Sequence, residues 1–381
     1  MQQLSSNNSA KQRSAVNHVP LAGAVEAALR VASARGERVF VIGGIVRDLL
    51  MGGTIGDYDL DIVVEGDGLA FARALKEELG CSLREHQAFM TAKLTAPFVE
   101  VEGEGEGVFL TEIDIATARV EQYAKPGALP TVRPAPIEQD LWRRDFSTNA
   151  IALPLELFAQ YRANTLSLAQ LSERVVDPCG GLKDLQNGTL RVLHPRSFID
   201  DPTRLFRAVR YAVRLSFHFD METLAAFVDA VNGGALATLS PRRVWNEVVT
   251  AFDEELASEV IQEFADRGLF SYLPILSADQ THDAVVALKR TEDMRAVLSN
   301  EVYALANKLV LIVALVRDGR DDIVLAIHEG GTMLQRARGV LAAAAGGAEP
   351  TGAADLVAAY ALSGSAELQM ALQAALQSGG E

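Results

Sequence analysis

Residues Gly56–Gly68 read GDYDLDIVVEGDG, and the alternation within them limits what this chain can fold into. Successive side chains on a strand point to opposite faces, so Asp57, Asp59 and Asp61 share one face while Leu60 and Ile62 share the other. The Ile-Val-Val that follows reads as buried. Carboxylates held this close repel one another unless a positive charge lies between them. A divalent cation supplies that charge, because Mg²⁺ prefers oxygen ligands and is commonly held by one or two carboxylates together with substrate phosphates. The alternative is a polar strand end with solvated aspartates.

The neighbouring residues favour the metal. Upstream, RVFVIGG reads as a strand ending on two glycines, and IVRDLLMG as a short helix. At such a strand-to-helix turn the backbone can approach a phosphate closely, and helix N-terminal amides point at it. Gly43 and Gly44 supply the turn, and Arg47, one turn into the helix, can reach the same phosphates. Asp114, in TEIDIATAR, lies on a later strand with Ile113 and Ile115 facing the opposite way, which offers a third carboxylate to the same sheet. Three carboxylates on adjacent strands can hold two metals about 3.5–4 Å apart, one for an attacking hydroxyl and one for a leaving phosphate. The alternative for Asp114 is a structural salt bridge to Arg119.

The chain has 381 residues, 49% hydrophobic and 22% charged, which suits two or more globular domains. Two cysteines, Cys81 and Cys179, are too few for a disulfide framework and show no metal-ligand spacing. No signal-peptide core or membrane-length apolar stretch is seen, so the expectation is a cytoplasmic protein with no membrane partner and a frayed segment over residues 1–20. A formal charge of −15 excludes gripping nucleic acid through bulk charge, and any polyanion site must be a local basic surface. The expected fold class is an α/β head, residues 21–150, followed by an all-α remainder. The head takes a helix from about Leu21 to Ala34, an amphipathic helix at LAFARALKEEL, and strands at DLDIVV, TAKLTA, FVEVE and VFLTEIDIAT, with EGEGEG as a hairpin turn. A loop rich in Pro and Gly, YAKPGALPTVRPAP, follows.

Four segments in order, GGIVRDLLMG, DLDIVVEGDG, RRDFSTNAIA and DDPTRLFRAVRYAVRLSF, resemble the signatures of the class II tRNA nucleotidyltransferase and bacterial poly(A) polymerase family, over roughly Val39 to Glu247. The resemblance implies a polymerase β-type head, then a neck over 151–215, a body over 216–275 and a tRNA-binding tail over 276–381. It implies template-free addition of C and/or A to a tRNA 3′ end from CTP and ATP, with Mg²⁺ as cofactor. Carried onto this chain, Gly43, Gly44 and Arg47 hold the triphosphate, Asp59 and Asp61 hold the metal, and Asp114 completes the catalytic set. Arg144, Asp145 and Asn149 shape the ribose and phosphate pocket. Asp201 and Arg204 read the base edge in place of a template, since an aspartate accepts from an exocyclic amine while an arginine donates to ring nitrogen or carbonyl oxygen. At i and i+3 on a helix the two project from one face, and the alternative for them is a local ion pair.

The sequence departs from the family in places. Counting from the glycines would choose Asp57 and Asp59, whereas matching IVVEGDG chooses Asp59 and Asp61, with Asp57 in reserve. Asp200 stands where Glu is common, and Arg242 replaces a usual Glu while Arg243 and Glu247 match. Arg243 is expected to point at the triphosphate or to support the template arginine. Arg204, Arg207, Arg210 and Arg214 lie along one helix, with Arg207 among the nucleotide-binding candidates and the others divided between an RNA-facing surface and a solvated face. The absence of a long basic C-terminal extension favours tRNA over poly(A) synthesis. A nucleotidyltransferase with a non-RNA acceptor, and a binding protein without catalysis, are the competing classes.

Overall fold

The computed structural model describes residues 21–53, 59–102, 105–270, 276–317, 319–320, 324, 330–347, 349–350 and 352–377. Asp57 and part of the EGEGEG turn lie outside them, as does the side chain of Asp59. Two compact units are present, Met1–Gln122 with Pro130–Gln186, and Tyr123–Leu129 with Asn187–Glu381. The first unit thus runs past the head boundary expected at residue 150.

The first unit contains α1 (Leu21–Arg35), β1 (Arg38–Ile42), α2 (Gly44–Leu50), β2 (Asp59–Glu65), α3 (Gly68–Leu79), β3 (Ser82–His86), β4 (Thr91–Glu102), β5 (Gly105–Thr117), β6 (Arg119–Gln122), β7 (Thr131–Pro134), α4 (Ile137–Trp142), β8 (Ala152–Pro154), α5 (Leu155–Arg162), α6 (Leu168–Ser172) and α7 (Gly181–Asn187). Six strands form one sheet in the order β3-β4-β5-β2-β1-β8. Only β2 and β5 run parallel; the other neighbours are antiparallel. A parallel pair needs a crossover, which α3, β3 and β4 supply. Leu60, Ile62, Leu94, Ile113 and Ile115 are buried in one core with Val25, Val31, Phe71 and Leu75 of α1 and α3. Burying each of these large side chains is worth about 1.5–3 kcal/mol, and this is what sets the strand register.

Two strands expected separately, TAKLTA and FVEVE, form a single β4 that passes through Pro97, in register with Leu110. Pairing of β3 with β4 ends at Ser82↔Thr95, so among the described residues β4 is an edge beyond that point, where proline is tolerated. The polar run SLREH of β3, and the short β6, β7 and β8, were not expected as strands. The Pro-rich loop is partly ordered by β7 pairing with β6.

In the second unit, β9 (Thr189–Leu190) and β10 (His218–Phe219) make one small parallel pair. The other elements are helices: α8 (Ser197–Asp200), α9 (Thr203–Leu215), α10 (Met221–Asn232), α11 (Pro241–Phe252), α12 (Ala257–Asp266), α13 (Ala278–Glu292), α14 (Asn300–Arg317), α15 (Gly330–Ala344), α16 (Ala353–Ser363) and α17 (Ala366–Gln377). This matches the expected α/β head and helical remainder. Phe206 of α9 meets Phe264 of α12 edge-on, ring centroids 5.1 Å apart. Polar caps start several of these helices: Asp220 accepts from the Thr223 amide at 2.8 Å, and Ser277 with Gln280 forms a capping box. Among the described residues no helix is long and apolar enough to cross a membrane.

The start of α3 is locked to the end of β5. Asp67 accepts from the Ala70 amide at 3.0 Å, and the Gly68 amide donates to Thr117 Oγ1 at 3.0 Å. A Cβ on Gly68 would lie 2.7 Å from the Thr117 nitrogen, so this close approach admits only glycine. Gly68→Ala is expected to destabilise the first unit by about 1–3 kcal/mol, read as a lower denaturant midpoint.

Candidate active site

Asp61 and Asp114 are direct partners across the parallel β2–β5 pair. The residues flanking them, Leu60, Ile62, Ile113 and Ile115, are all buried, which leaves the two carboxylates on the face away from the α1–α3 core. Asp59 begins β2 in backbone register with Glu112. Gly43 stands at φ 75°, ψ −143° ahead of α2, and a Cβ there would be 3.2 Å from Asp61 Oδ2. The glycine therefore serves two needs: a left-handed backbone that side chains disfavour, and room for the aspartate. The Gly43–Gly44 turn and the carboxylate row meet at this point.

Asp114 does not pair with Arg119. Its Oδ2 lies 3.3 Å from Lys93 Nζ, and the same ammonium donates to Glu112 Oε2 at 2.7 Å. Arg119 instead donates to the Phe89 carbonyl and approaches Glu121. Lys93 sits in register with Asp114 on β4, so the cross-strand partner, hidden from any local reading, wins over the near neighbour in sequence. Asp61 and Asp114 line a cavity of about 380 Å³.

Arg47 is buried, and three of its nitrogens are committed. Nε and Nη2 donate to the carboxylate of Asp48 at 2.8 and 3.0 Å, and Nη1 donates to Asn149 Oδ1 at 3.0 Å. Asn149 Nδ2 in turn donates to Asp145 Oδ1 at 3.1 Å, which also accepts from the Phe146 amide at 2.8 Å. The structure thus joins Arg47, Asn149 and Asp145 into one chain of hydrogen bonds. Arg144 stands apart from that chain, held by Asp140 Oδ2 at 2.8 Å.

The carboxylate oxygens of this face suit a hard divalent cation of the Mg²⁺ or Mn²⁺ kind, which takes one or two carboxylates and completes its shell with substrate phosphates. Among the described residues, which leave out the Asp59 side chain, no three His, Cys, Asp or Glu side chains form a metal cluster. Asp61 and Asp114 fit such an ion.

The base-reading candidates belong to the second unit. Asp201 is not on the helix with Arg204: it is extended, at φ −134°, ψ 94°, between α8 and α9. The cause is Pro202, whose ring excludes the helical conformation from the residue before it. Asp201 Oδ1 accepts from the Thr203 amide and hydroxyl at 3.1 and 2.7 Å and from Arg243 Nη2 at 2.7 Å. Arg243 also donates to the Gly127 carbonyl at 2.8 Å. It thus braces Asp201, where the sequence suggested the triphosphate or Arg204. Arg204 is buried and donates to Ser197 Oγ at 2.7 Å. Arg207 packs its guanidinium over the Tyr211 ring at 5.3 Å and donates to its hydroxyl at 3.0 Å. Arg210 is neither RNA-facing nor solvated, but buried against Glu254 at 2.9 Å and Glu247 at 3.1 Å, and Arg214 shares Glu254. An ionic network on α9 therefore exists despite Arg242, which is exposed.

Residues 39–191 match the family described as the Poly A polymerase head domain. The chain is 43% identical over 212 residues to an A-adding tRNA nucleotidyltransferase of Halalkalibacterium halodurans, a match covering 55% of this chain and 44% of that one. It is 36% identical over 277 residues to a CC-adding tRNA nucleotidyltransferase of Deinococcus radiodurans, covering 71% of this chain and 66% of that one. The chain therefore spans less than half the length of the first of these relatives. Among solved structures it resembles a tRNA nucleotidyltransferase complexed with a primer tRNA and an incoming ATP analogue, with a TM-score of 0.63, 26% identity, and 92% and 98% of the two chains covered.

Two residues of the first unit were not legible in the sequence. Lys93 carried a signal, a basic residue alternating with apolar ones in TAKLTA, but its partner is set by cross-strand register. Asp140 carried none beyond its place before RR. It is fully buried and accepts from the Arg119 amide at 3.0 Å, Arg143 Nε at 2.9 Å and Arg144 Nη2 at 2.8 Å. Burial alone would lift its carboxyl, but Arg144 and Arg143 outweigh burial and hold it below the usual carboxylate range. Its stabilisation is thus full above the unfolded value of about 3.9 and is lost as pH falls through the folded value. Asp140→Asn is expected to cost about 3–5 kcal/mol at neutral pH, because it removes the buried charge that Arg143 and Arg144 share, with the gap to wild type closing as the pH is taken below about 4. Denaturant unfolding across that range is the check.

Proposed function

We propose that this chain is a template-independent tRNA 3′-end nucleotidyltransferase, adding C and/or A of the CCA terminus from CTP or ATP with release of pyrophosphate. The observation that carries the reading is the alignment of Asp61 with Asp114 beside the Gly43 turn, a carboxylate row next to a phosphate cradle on one sheet face. Similarity to an A-adding relative favours addition of A. A tRNA substrate implies a cytoplasmic location.

In this reading Gly43 and Gly44 present backbone to the triphosphate, and Arg47, fixed by Asp48 and Asn149, adds positive charge beneath it. Asp59 and Asp61 would hold Mg²⁺, which neutralises charge on the phosphates and acidifies the attacking hydroxyl. Asp114 accepts a hydrogen bond from the RNA 3′-hydroxyl. The 3′-oxygen gives its proton to solvent and forms a bond to the α-phosphorus as the bond to pyrophosphate breaks. Asp201 and Arg204 read the base. Arg243, Thr203 and Ser197 fix those two side chains in place, and such fixing lets a protein surface discriminate amino-bearing base edges without a template strand.

The test is incorporation of labelled CTP and ATP, separately and together, into tRNA transcripts ending before CCA, after C and after CC. Metal-dependent addition to at least one transcript is expected, with loss of at least about a thousandfold in Asp59→Ala/Asp61→Ala. Long A tracts on any RNA would point to the poly(A) polymerase alternative. No incorporation by wild type into any transcript would reject the reading.

A further inference from the structure

The carboxylate row does not stop at Asp114. Strand register continues it: Asp61 faces Asp114, Asp114 faces Lys93, and Lys93 faces Arg84. Four residues on β2, β5, β4 and β3 therefore form a single line across the sheet, acidic in one half and basic in the other. His86, one alternation from Arg84 on β3, lies on the same face, and Asp61, Arg84, His86, Thr91, Lys93 and Asp114 all line the cavity of about 380 Å³. Lys93 is tied to Glu112 and Asp114. Arg84 is exposed, and its guanidinium makes no ion pair or hydrogen bond among the described residues. In a chain carrying a net charge of −15, an uncompensated arginine lining a cavity beside the active carboxylates calls for an anionic partner.

The direction of the reaction says which anion. In-line transfer puts the attacking oxygen and the leaving pyrophosphate on opposite sides of the reacting phosphorus. The Gly43–Gly44 turn, where the leaving group would be held, follows β1, and β1 lies on one side of β2. The attacking strand must then approach from the other side, over β5, β4 and β3. Neighbouring strands are about 4.8 Å apart, which sets Arg84 roughly 10 Å along the row from Asp114, within reach of a phosphate attached to the nucleotide whose hydroxyl meets Asp114. We propose that Arg84, with His86 and Lys93 beside it, binds the terminal phosphodiester of the acceptor RNA and so presents its 3′-hydroxyl to Asp114. This rests on the function proposed above and assigns the acceptor subsite within it.

The test is steady-state incorporation into whichever tRNA end state the wild type extends, with Arg84→Ala, Arg84→Glu and Arg84→Lys, and with Arg30→Ala as a control for loss of an exposed arginine. KM for the transcript is expected to rise about tenfold in Arg84→Ala, further in Arg84→Glu, and to recover in Arg84→Lys, while KM for the nucleotide stays within about twofold. The slope of log affinity for RNA against log salt should fall by about 0.7, one single-strand phosphate contact, and Arg30→Ala should match wild type. Wild-type KM for the transcript and wild-type salt slope in both Arg84→Ala and Arg84→Glu, with the wild type active, would overturn the acceptor subsite and leave the proposed function standing. A wild type that extends no transcript overturns both.

Discussion

The parallel pairing of β2 with β5 is the constraint on which the rest of the head depends. It sets Leu60 against Ile113 and Ile62 against Ile115 on the buried face, and the same register sets Asp61 against Asp114 on the other. A slip of one residue would drive Asp61 into the apolar core and lift an isoleucine onto the open face. An unpaired carboxylate in that core costs several kcal/mol or must give up its charge. The hydrophobic packing that stabilises the sheet is therefore also what aligns the carboxylates. Chemistry and stability share one register here, and Gly43 fits into it because its backbone takes a positive φ and a Cβ there would crowd Asp61 Oδ2 at 3.2 Å.

A second theme is how an acidic protein arranges its arginines. In the first unit, buried Asp140 holds Arg143 and Arg144, and Asn149 holds Arg47 with Asp145 behind it. In the second, Glu254 holds Arg210 and Arg214, and Asp201 holds Arg243. Removing one partner from a buried pair leaves an uncompensated charge, so these groups resist substitution far more than exposed pairs such as Arg30–Glu78. The positive charge available to substrates is thus sparse, and each fixed guanidinium has a defined direction.

Much of this was legible in the sequence because it follows from short-range rules. Alternation in DLDIVV and TEIDIAT fixed which side chains share a face, and the Gly-Gly turn announced the close approach at Asp61. What stayed hidden depends on partners distant in sequence. Lys93 meets Asp114 only through the β4–β5 register, and Arg243 reaches Asp201 across more than forty positions, between α11 and the α8–α9 junction. Asp201 itself was misplaced onto a helix although Pro202 was in view; the rule on residues before proline would have moved it off. The continuous β4 was missed because Pro97 argues against a strand until its edge position is known.

The central claim is that Asp61, aligned with Asp114 on one sheet face, holds an ion beside the Gly43 turn. Its most direct test is anomalous diffraction from crystals of the protein grown with Mn²⁺ and a non-hydrolysable ATP analogue. The account predicts a manganese peak within about 2.0–2.4 Å of an Asp61 carboxylate oxygen, shared with the analogue's phosphates at the Gly43–Gly44 backbone. Nucleotide bound with its phosphates elsewhere, or manganese absent from Asp61 while the analogue is fully occupied, would contradict it.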